Sequence, residues 1–357
     1  MLLEENKPLA PFTTFAIGGP ARWFVNVSSE EEIAEAAAWA RDHNVKLFIL
    51  GGGSNLLISD AGFDGLVVHV ALRGINVVED PDASDPVQYQ VAAGEDWDAF
   101  VETTVQNKCA GIECLAGIPG TVGGTPVQNV GAYGQDVATT ITKVRAFDLH
   151  SLTFVEFAAA DCGFSYRRSR FNSTDRGRYV VTRVDYTLIR NGVPTLRYAD
   201  VQRAFPAGTQ PSLAEVACAV RSVRQTKGML LVEGDPDCRS AGSFFKNPVV
   251  TQEQLQRIAA NSTVQPPRFP AGSETENEGP VKVPAAWLIE QAGFAKGYSL
   301  GNAGVSPRHT LALINRGGAS ANEILTLANK IKSAVADHFG IDLEMEPVML
   351  GFEPHDH

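Results

Sequence analysis

The chain has no apolar run approaching the ~20 residues that cross a bilayer, and its start, MLLEENKPLAPFTTF, has no basic segment leading into an apolar stretch. Neither a membrane span nor a secretion signal is expected. Cysteine is scarce: the five residues Cys109, Cys114, Cys162, Cys218 and Cys238 are odd in number and include no CxxC pair. That argues against a disulfide framework and a zinc or redox pair, and fits a cytoplasmic setting with reduced thiols. Net positive charge is also lacking. A formal charge of −11 and a pI near 5.2 disfavour a broad surface for nucleic acid or anionic membrane, while leaving room for a local basic pocket. The seven histidines, His43, His69, His150, His309, His338, His355 and His357, form no spaced cluster with cysteine or carboxylate, so no metal is expected. Repeats and low-complexity tracts are absent too.

What is there is an ordinary globular composition, 44% hydrophobic and 20% charged in 357 residues, enough for two or three domains. Ser29 and Glu32 fit a capping box for a helix that buries Ile33, Ala36, Ala37 and Ala40 and ends near Asn44. The run VKLFIL (45–50) reads as a buried strand, followed by another in GLVVHV (65–70). Further strands are expected in VQYQVAA (87–93), ITKVRAFDL (141–149) and YVVTRVDYTLI (179–189), with a helix in 95–108. Ser212 with Glu215, and Ser320 with Glu323, cap helices running through Arg224 and over 321–339. The character of the chain changes after Lys227, a polar stretch around 271–280 reads as a mobile loop, and a final strand over 341–350 is expected to return to the middle domain.

Two glycine-rich loops are the first sign of chemistry. Phosphates bind where backbone N–H groups converge without obstructing side chains, and glycine allows the positive φ angles such nests need. Gly51, Gly52, Gly53, Ser54 and Asn55 follow a buried strand, although a tight turn explains three glycines equally well. They do not make the GxGxxG fingerprint, since no helical pattern follows closely. The second loop, AGIPGTVGGTPVQNVGAYG (116–134), is long and nearly uncharged, yet Ile118, Val122, Val127, Val130 and Tyr133 can pin it to a core. A diphosphate cradle and a structural Ω-loop remain equally open on composition.

The strings IGG (17–19), LGGGSNLLIS (50–59), IPGTVGGTPVQNVGAYG (118–134), YRRSRF (166–171), GSFFKNP (242–248) and AAWLIEQAG (285–293) occur in that order. Together they closely resemble the UDP-N-acetylenolpyruvoylglucosamine reductases over nearly the whole chain, in their longer, type I form. The resemblance implies an α+β architecture: a two-subdomain FAD-binding fold of the vanillyl-alcohol-oxidase type over 1–72 and 73–227, and a C-terminal α/β substrate-binding domain over 228–340. A C-terminal strand, 341–357, returns to the active site. It also implies reduction of UDP-N-acetylglucosamine enolpyruvate to UDP-N-acetylmuramate for peptidoglycan, with FAD as cofactor and NADPH as hydride donor. The second loop offers no histidine for covalent attachment, so FAD is expected to be non-covalent. A monomer is the default.

Carried over by motif, the flavin falls to Gly51, Gly52, Gly53, Ser54, Asn55, Pro119, Gly120, Thr121, Gly123, Gly124, Gln128, Asn129, Gly131 and Ala132. Arg167 is the implied catalytic cation, because a guanidinium is always charged and can hold a carboxylate in bidentate fashion. Ser243 matches the family's proton donor. A serine hydroxyl is a very weak acid, so it needs a strongly basic carbon as acceptor and polarising neighbours, Lys246 being one candidate. Glu344 and Glu346 share a face on an extended segment, and the family's ending selects Glu346 as the catalytic carboxylate. Tyr166, Tyr198, Lys227, Asn247 and Gln291 are the implied substrate-binding residues. Two departures stand out: GMLLVEGDPDCRSAG (228–242) is longer than its counterparts, and Pro347 replaces the usual valine, which requires a strand edge or end there. A flavin oxidase on the same cradle is the competing enzyme reading, and a non-catalytic nucleotide-binding protein the third. The former has no use for GSFFKNP, and the latter predicts a damaged site.

Overall fold

The computed structural model describes residues 1–78, 86–270 and 279–352. Most of the stretch expected as a mobile loop (271–280), and His355 and His357, lie outside the described residues. Contacts divide the chain into two units that do not follow its linear order. The first comprises Met1–Lys7, Ala21–Gly53 and Phe63–Gln225; the second comprises Pro8–Pro20, Ser54–Gly62 and the chain from Thr226 onward.

In the first unit, strands Leu3–Pro8, Pro20–Val27, Phe63–Val70 and Leu47–Leu50 lie in that order, the last three parallel. Parallel strands need a crossover, and helix Glu30–Asp42 supplies the one from Pro20–Val27 to Leu47–Leu50, on either side of Phe63–Val70, burying Ile33, Ala36, Ala37 and Ala40. Ser29 caps it by accepting the Glu32 N–H at 3.3 Å, but the expected return bond is displaced by one residue. Glu32 accepts instead from the backbone N–H of Ser28 at 2.7 Å and its hydroxyl at 2.9 Å, because a second serine there offers two donors. Asn44 ends the element with φ of 53°.

An antiparallel sheet forms the rest of this unit, in the order Thr153–Ala158, Ile141–Asp148, Tyr179–Arg190, Val87–Ala92, Ile75–Val78. Its alternating sequences bury one face. Helix Trp97–Gln106, capped by Asp96, packs Trp97 and Phe100 against Tyr89 and Tyr186 with ring centroids 5.2–6.0 Å apart. Ser212 and Glu215 form the reciprocal capping bonds of helix Leu213–Thr226.

The second unit is built around Phe244, Phe245, Leu288, Ile289 and the buried face of helix Ala321–Phe339. Two short three-stranded sheets flank this core: Val249–Val250, Val281–Lys282 and Phe269–Pro270, and Ser299–Leu300, Ala303–Val305 and Leu313–Asn315. Residues 8–20 and 54–62 join it through long-range bonds. Phe15 is fully buried and its carbonyl accepts from Asn315 Nδ2 at 3.0 Å, while both carboxylate oxygens of Asp60 cap helix Ala321–Phe339 at Ala321 and Asn322.

The strand expected over 341–350 is confined to Val348–Leu350, and it pairs in parallel with Leu56–Ile58. Pro347, without an N–H, falls immediately before it. Upstream, the chain instead meets GSFFKNP. Phe245 and Met345 form an isolated bridge, Lys246 N–H donates to Glu344 O and Glu346 N–H to Phe244 O, both at 2.9 Å.

Candidate functional site

In the first unit the glycine-rich segments meet backbone to backbone. A Cβ on Gly52 would stand 2.5 Å from Gly120 Cα, and one on Gly51 would stand 2.9 Å from Thr121 Oγ1. A side chain at Gly52 would force the loops apart, and one at Gly51 would displace the Thr121 hydroxyl. The second loop is held on the sheet by Trp97 N–H to Gly120 O (3.1 Å), Val122 N–H to Glu95 O (2.9 Å) and Gly123 N–H to Ala93 O (2.8 Å). Thr125 Oγ1 lies 2.7 Å from the buried Tyr186 hydroxyl. Gly53, Gly117, Gly120, Asn129, Tyr133 and Gly134 have positive φ, the conformation that backbone nests use, and a Cβ on Gly124 would meet nothing within 4 Å. Pro119, Thr121, Gln128, Gly131 and Ala132 are half-buried along the same path, the last two pairing with Gln135 and Asp136.

The YRRSRF segment, with the serine before it, is bonded to this loop at three points. Asn129 Nδ2 donates to Ser165 O (3.1 Å), Ser169 Oγ to Val127 O (2.6 Å) and Arg167 Nη2 to Gly131 O (2.8 Å). Arg167 has φ of 54°, a left-handed conformation unusual for a side chain of its size, and its Nε is buried. Its guanidinium lies 5.6 Å from the Tyr166 ring. Arg168 is exposed and Arg170 pairs with Asp175 at 2.7 Å, so only part of the basic run is a solvated face.

Three residues unmarked by sequence reasoning hold the mouth of the loop. Asp98 accepts Gly117 N–H at 2.6 Å and pairs with Arg221 at 2.7 Å, while Arg224 Nε donates to Gly117 O at 2.9 Å. Arg224 is 8% exposed, and burial pulls its affinity for its proton down, opposed by the Tyr133 hydroxyl and Asp98. The helical spacing of Arg221 and Arg224 was visible; their partners, more than a hundred residues away, were not. Tyr198 opens the short helix Ala199–Gln202 with its ring edge-on to Tyr133, centroids 5.4 Å apart.

In the second unit Ser243 is half-buried between Gly242, at φ of 71°, and the buried Phe244, whose N–H donates to Leu311 O at 2.8 Å. Lys246 pairs with the exposed Glu344 at 2.5 Å, so its charge is engaged there and not at Ser243. Glu346 is the half-buried member of the carboxylate pair, and its carbonyl accepts from Asn55 Nδ2 at 3.2 Å. Asn247 Oδ1 accepts the first N–H of helix Ala285–Gln291 at 2.9 Å. Ser54 lies beside Thr14, whose hydroxyl donates to Ser240 O at 2.6 Å. Gln291 sits at the far end of its helix, accepting from Ser262 and lining a shallow, open surface depression with Asp337 and His338; the structure thus gives it surroundings that differ from those of Ser243 and Glu346. Lys227 is half-buried. The long 228–242 segment is tied down by Arg308, which pairs with Asp235 at 2.7 Å and Asp237 at 3.1 Å.

Comparison with known proteins decides the family. A UDP-N-acetylenolpyruvoylglucosamine reductase of Streptomyces coelicolor is 46% identical over 97% of this chain and 90% of its own. The chain belongs to the UDP-N-acetylenolpyruvoylglucosamine reductase family. The relative from Thermobifida fusca is 44% identical over 97% of this chain and 98% of its own. Residues 21–151 match the FAD binding domain, and 235–350 match the reductase's C-terminal domain. The crystal structure of the Thermus caldophilus reductase superposes with a TM-score of 0.65 at 24% identity, covering 98% of this chain and all of that one, which shows the shared fold. The architecture is therefore α+β, an FAD binding domain followed by the reductase's C-terminal domain. The loop 117–134, neutral, with several residues at positive φ and open space beside Gly124, and packed closely against Gly51 and Gly52, fits a flavin diphosphate.

Proposed function

We infer that the protein is an FAD-containing oxidoreductase that uses NADPH to reduce UDP-N-acetylglucosamine enolpyruvate to UDP-N-acetylmuramate, a precursor of bacterial peptidoglycan. The identity of 46% with a named reductase across 97% of the chain carries this reading. Gly51–Asn55 and 119–132 would hold FAD non-covalently, and the flavin would supply the hydride transfer between NADPH and the enolpyruvyl C3. A cytoplasmic monomer acting on soluble nucleotides fits the composition, and no helix among the described residues is long and apolar enough to cross a membrane.

The remaining roles belong to side chains. As C3 is attacked, negative charge spreads from C2 into the adjoining carboxylate. Arg167, preset by its bond to Gly131 O, is assigned to hold that carboxylate and stabilise the charge as it grows. Ser243 then gives its proton to C2, the strongly basic carbon that makes so weak an acid usable. The proton balance requires a titratable group to restore the serine, and Glu346, bonded through its backbone to Phe244, is assigned that part. Tyr166, Tyr198, Lys227, Asn247 and Gln291 are proposed to hold the nucleotide-sugar. For Asn247 the group assigned to the substrate is Nδ2, because Oδ1 caps a helix. Incubating purified protein with NADPH and the enolpyruvyl nucleotide tests the reading: NADPH loss should match formation of the lactyl ether, identified by mass. NADPH consumed at the same rate without the nucleotide would refute it.

A further inference from the structure

We propose that Glu113 is a positioning residue: its buried carboxylate latches the segment bearing Tyr198 to the glycine-rich loop. Glu113 is completely buried in the first unit, and its two side-chain oxygens accept from three neutral donors. Gly111 N–H donates to Oε2 at 2.8 Å, while Gln135 Nε2 and Thr195 N–H both donate to Oε1 at 2.8 Å. These donors come from three places: the strand end before the loop, the residue just after it, and the arm leading to Tyr198.

That arm needs a tether. Strand Tyr179–Arg190 ends against Cys109–Ala110, and residues 192–197 then belong to neither helix nor strand. Thr195 is fixed through all three of its polar groups: its N–H by Glu113, its carbonyl by Cys114 Sγ at 3.2 Å, and its hydroxyl by Gln135 Nε2 at 3.2 Å. Gln135 in turn accepts Cys114 N–H at 2.7 Å, which closes the network. Burial, with the Glu113 carboxylate beside it, pushes the Cys114 thiol up to about 12, so it stays a neutral donor. Three residues beyond Thr195, the Tyr198 ring reaches Tyr133 of the loop, and Gly134 leaves room for Arg197, whose Cβ lies 3.0 Å from where a Cβ would be. Glu113 thereby couples the placement of Tyr198 to that of the proposed flavin cradle.

The functional consequence rests on the reading that Tyr198 contacts substrate; the latch itself does not. Glu113→Gln places an amide NH₂ against one or more of the donors that now meet the carboxylate, leaving buried groups unsatisfied. Hydrogen exchange on flavin-loaded protein should show the amides of 195–202 exchanging at least about ten-fold faster, with strand Tyr179–Arg190 and helix Trp97–Gln106 unchanged. KM for the enolpyruvyl nucleotide should rise about ten-fold, while NADPH bleaches the flavin at the normal rate. Unchanged exchange in 195–202, or equal acceleration in helix Trp97–Gln106, would overturn the proposal. If Glu113→Gln does not fold, Thr195→Pro removes one donor and leaves Gly111 and Gln135 in place; it should loosen 196–202 alone, and failure to do so overturns the latch. Tyr198→Ala separates the two ideas, because an unmoved KM there removes Tyr198 from the substrate while the exchange result still decides the role of Glu113.

Discussion

At the scale of single residues, the contrast between Glu344 and Glu346 shows how environment sorts identical side chains. One is exposed and neutralised by Lys246; the other is half-buried beside the GSFFKNP backbone. Ser243 is the most exacting assignment, because a hydroxyl acts as an acid only toward a strong base. Ser243→Ala should leave flavin reduction by NADPH intact and slow the substrate half-reaction by about 10²–10⁴-fold in single-turnover kinetics. Loss of both steps would mark a structural residue. Ser243 and Arg167 were legible as members of specific strings. Glu113, Asp98 and Arg224 were not, since a carboxylate in GIECLAG or an arginine on a helix announces no partner, and burial comes only with the fold.

Among elements, the glycine loops depend on close approach. Gly52→Ala should yield folded protein with much less bound flavin, read from the ratio of flavin to protein absorbance, because its Cβ would press on Gly120 Cα. Full flavin content would show that the loops separate freely. The hairpin of Ile141–Asp148 and Thr153–Ala158 carries a different kind of constraint. Buried Asp148 accepts from Arg178 at 2.7 Å and from His150 N–H at 2.9 Å, and the Arg178 guanidinium holds its carboxyl well below the usual 3.8. A depressed carboxyl contributes stability that is complete above the unfolded-chain value and disappears as pH falls through the folded one. Urea midpoints for Asp148→Asn should therefore lie below wild type at neutral pH, with the gap shrinking below about pH 4. A gap independent of pH would contradict this. Elements with clear periodicity were legible, including helix Ala321–Phe339 with its capping box. The last strand was misread because alternation persisted through 341–346, where the segment makes an isolated bridge and no continuous ladder.

For the whole molecule, linear order proved the poorest guide. Residues 8–20 and 54–62 lie far from the C-terminal part of the chain in sequence, yet share its core through Phe15, Ile17 and Leu57. Such discontinuity arises from long-range packing and leaves no local pattern to read. The reaction class was more legible, because several specific strings occur in order along one chain and each demands its own chemistry. The central claim is that reducing equivalents pass through a bound flavin from NADPH to an enolpyruvyl nucleotide. It is tested most directly by following the flavin spectrum without oxygen: NADPH should bleach it, and UDP-N-acetylglucosamine enolpyruvate should restore it with stoichiometric UDP-N-acetylmuramate. A reduced flavin that ignores this substrate and is reoxidised rapidly by oxygen would contradict the account.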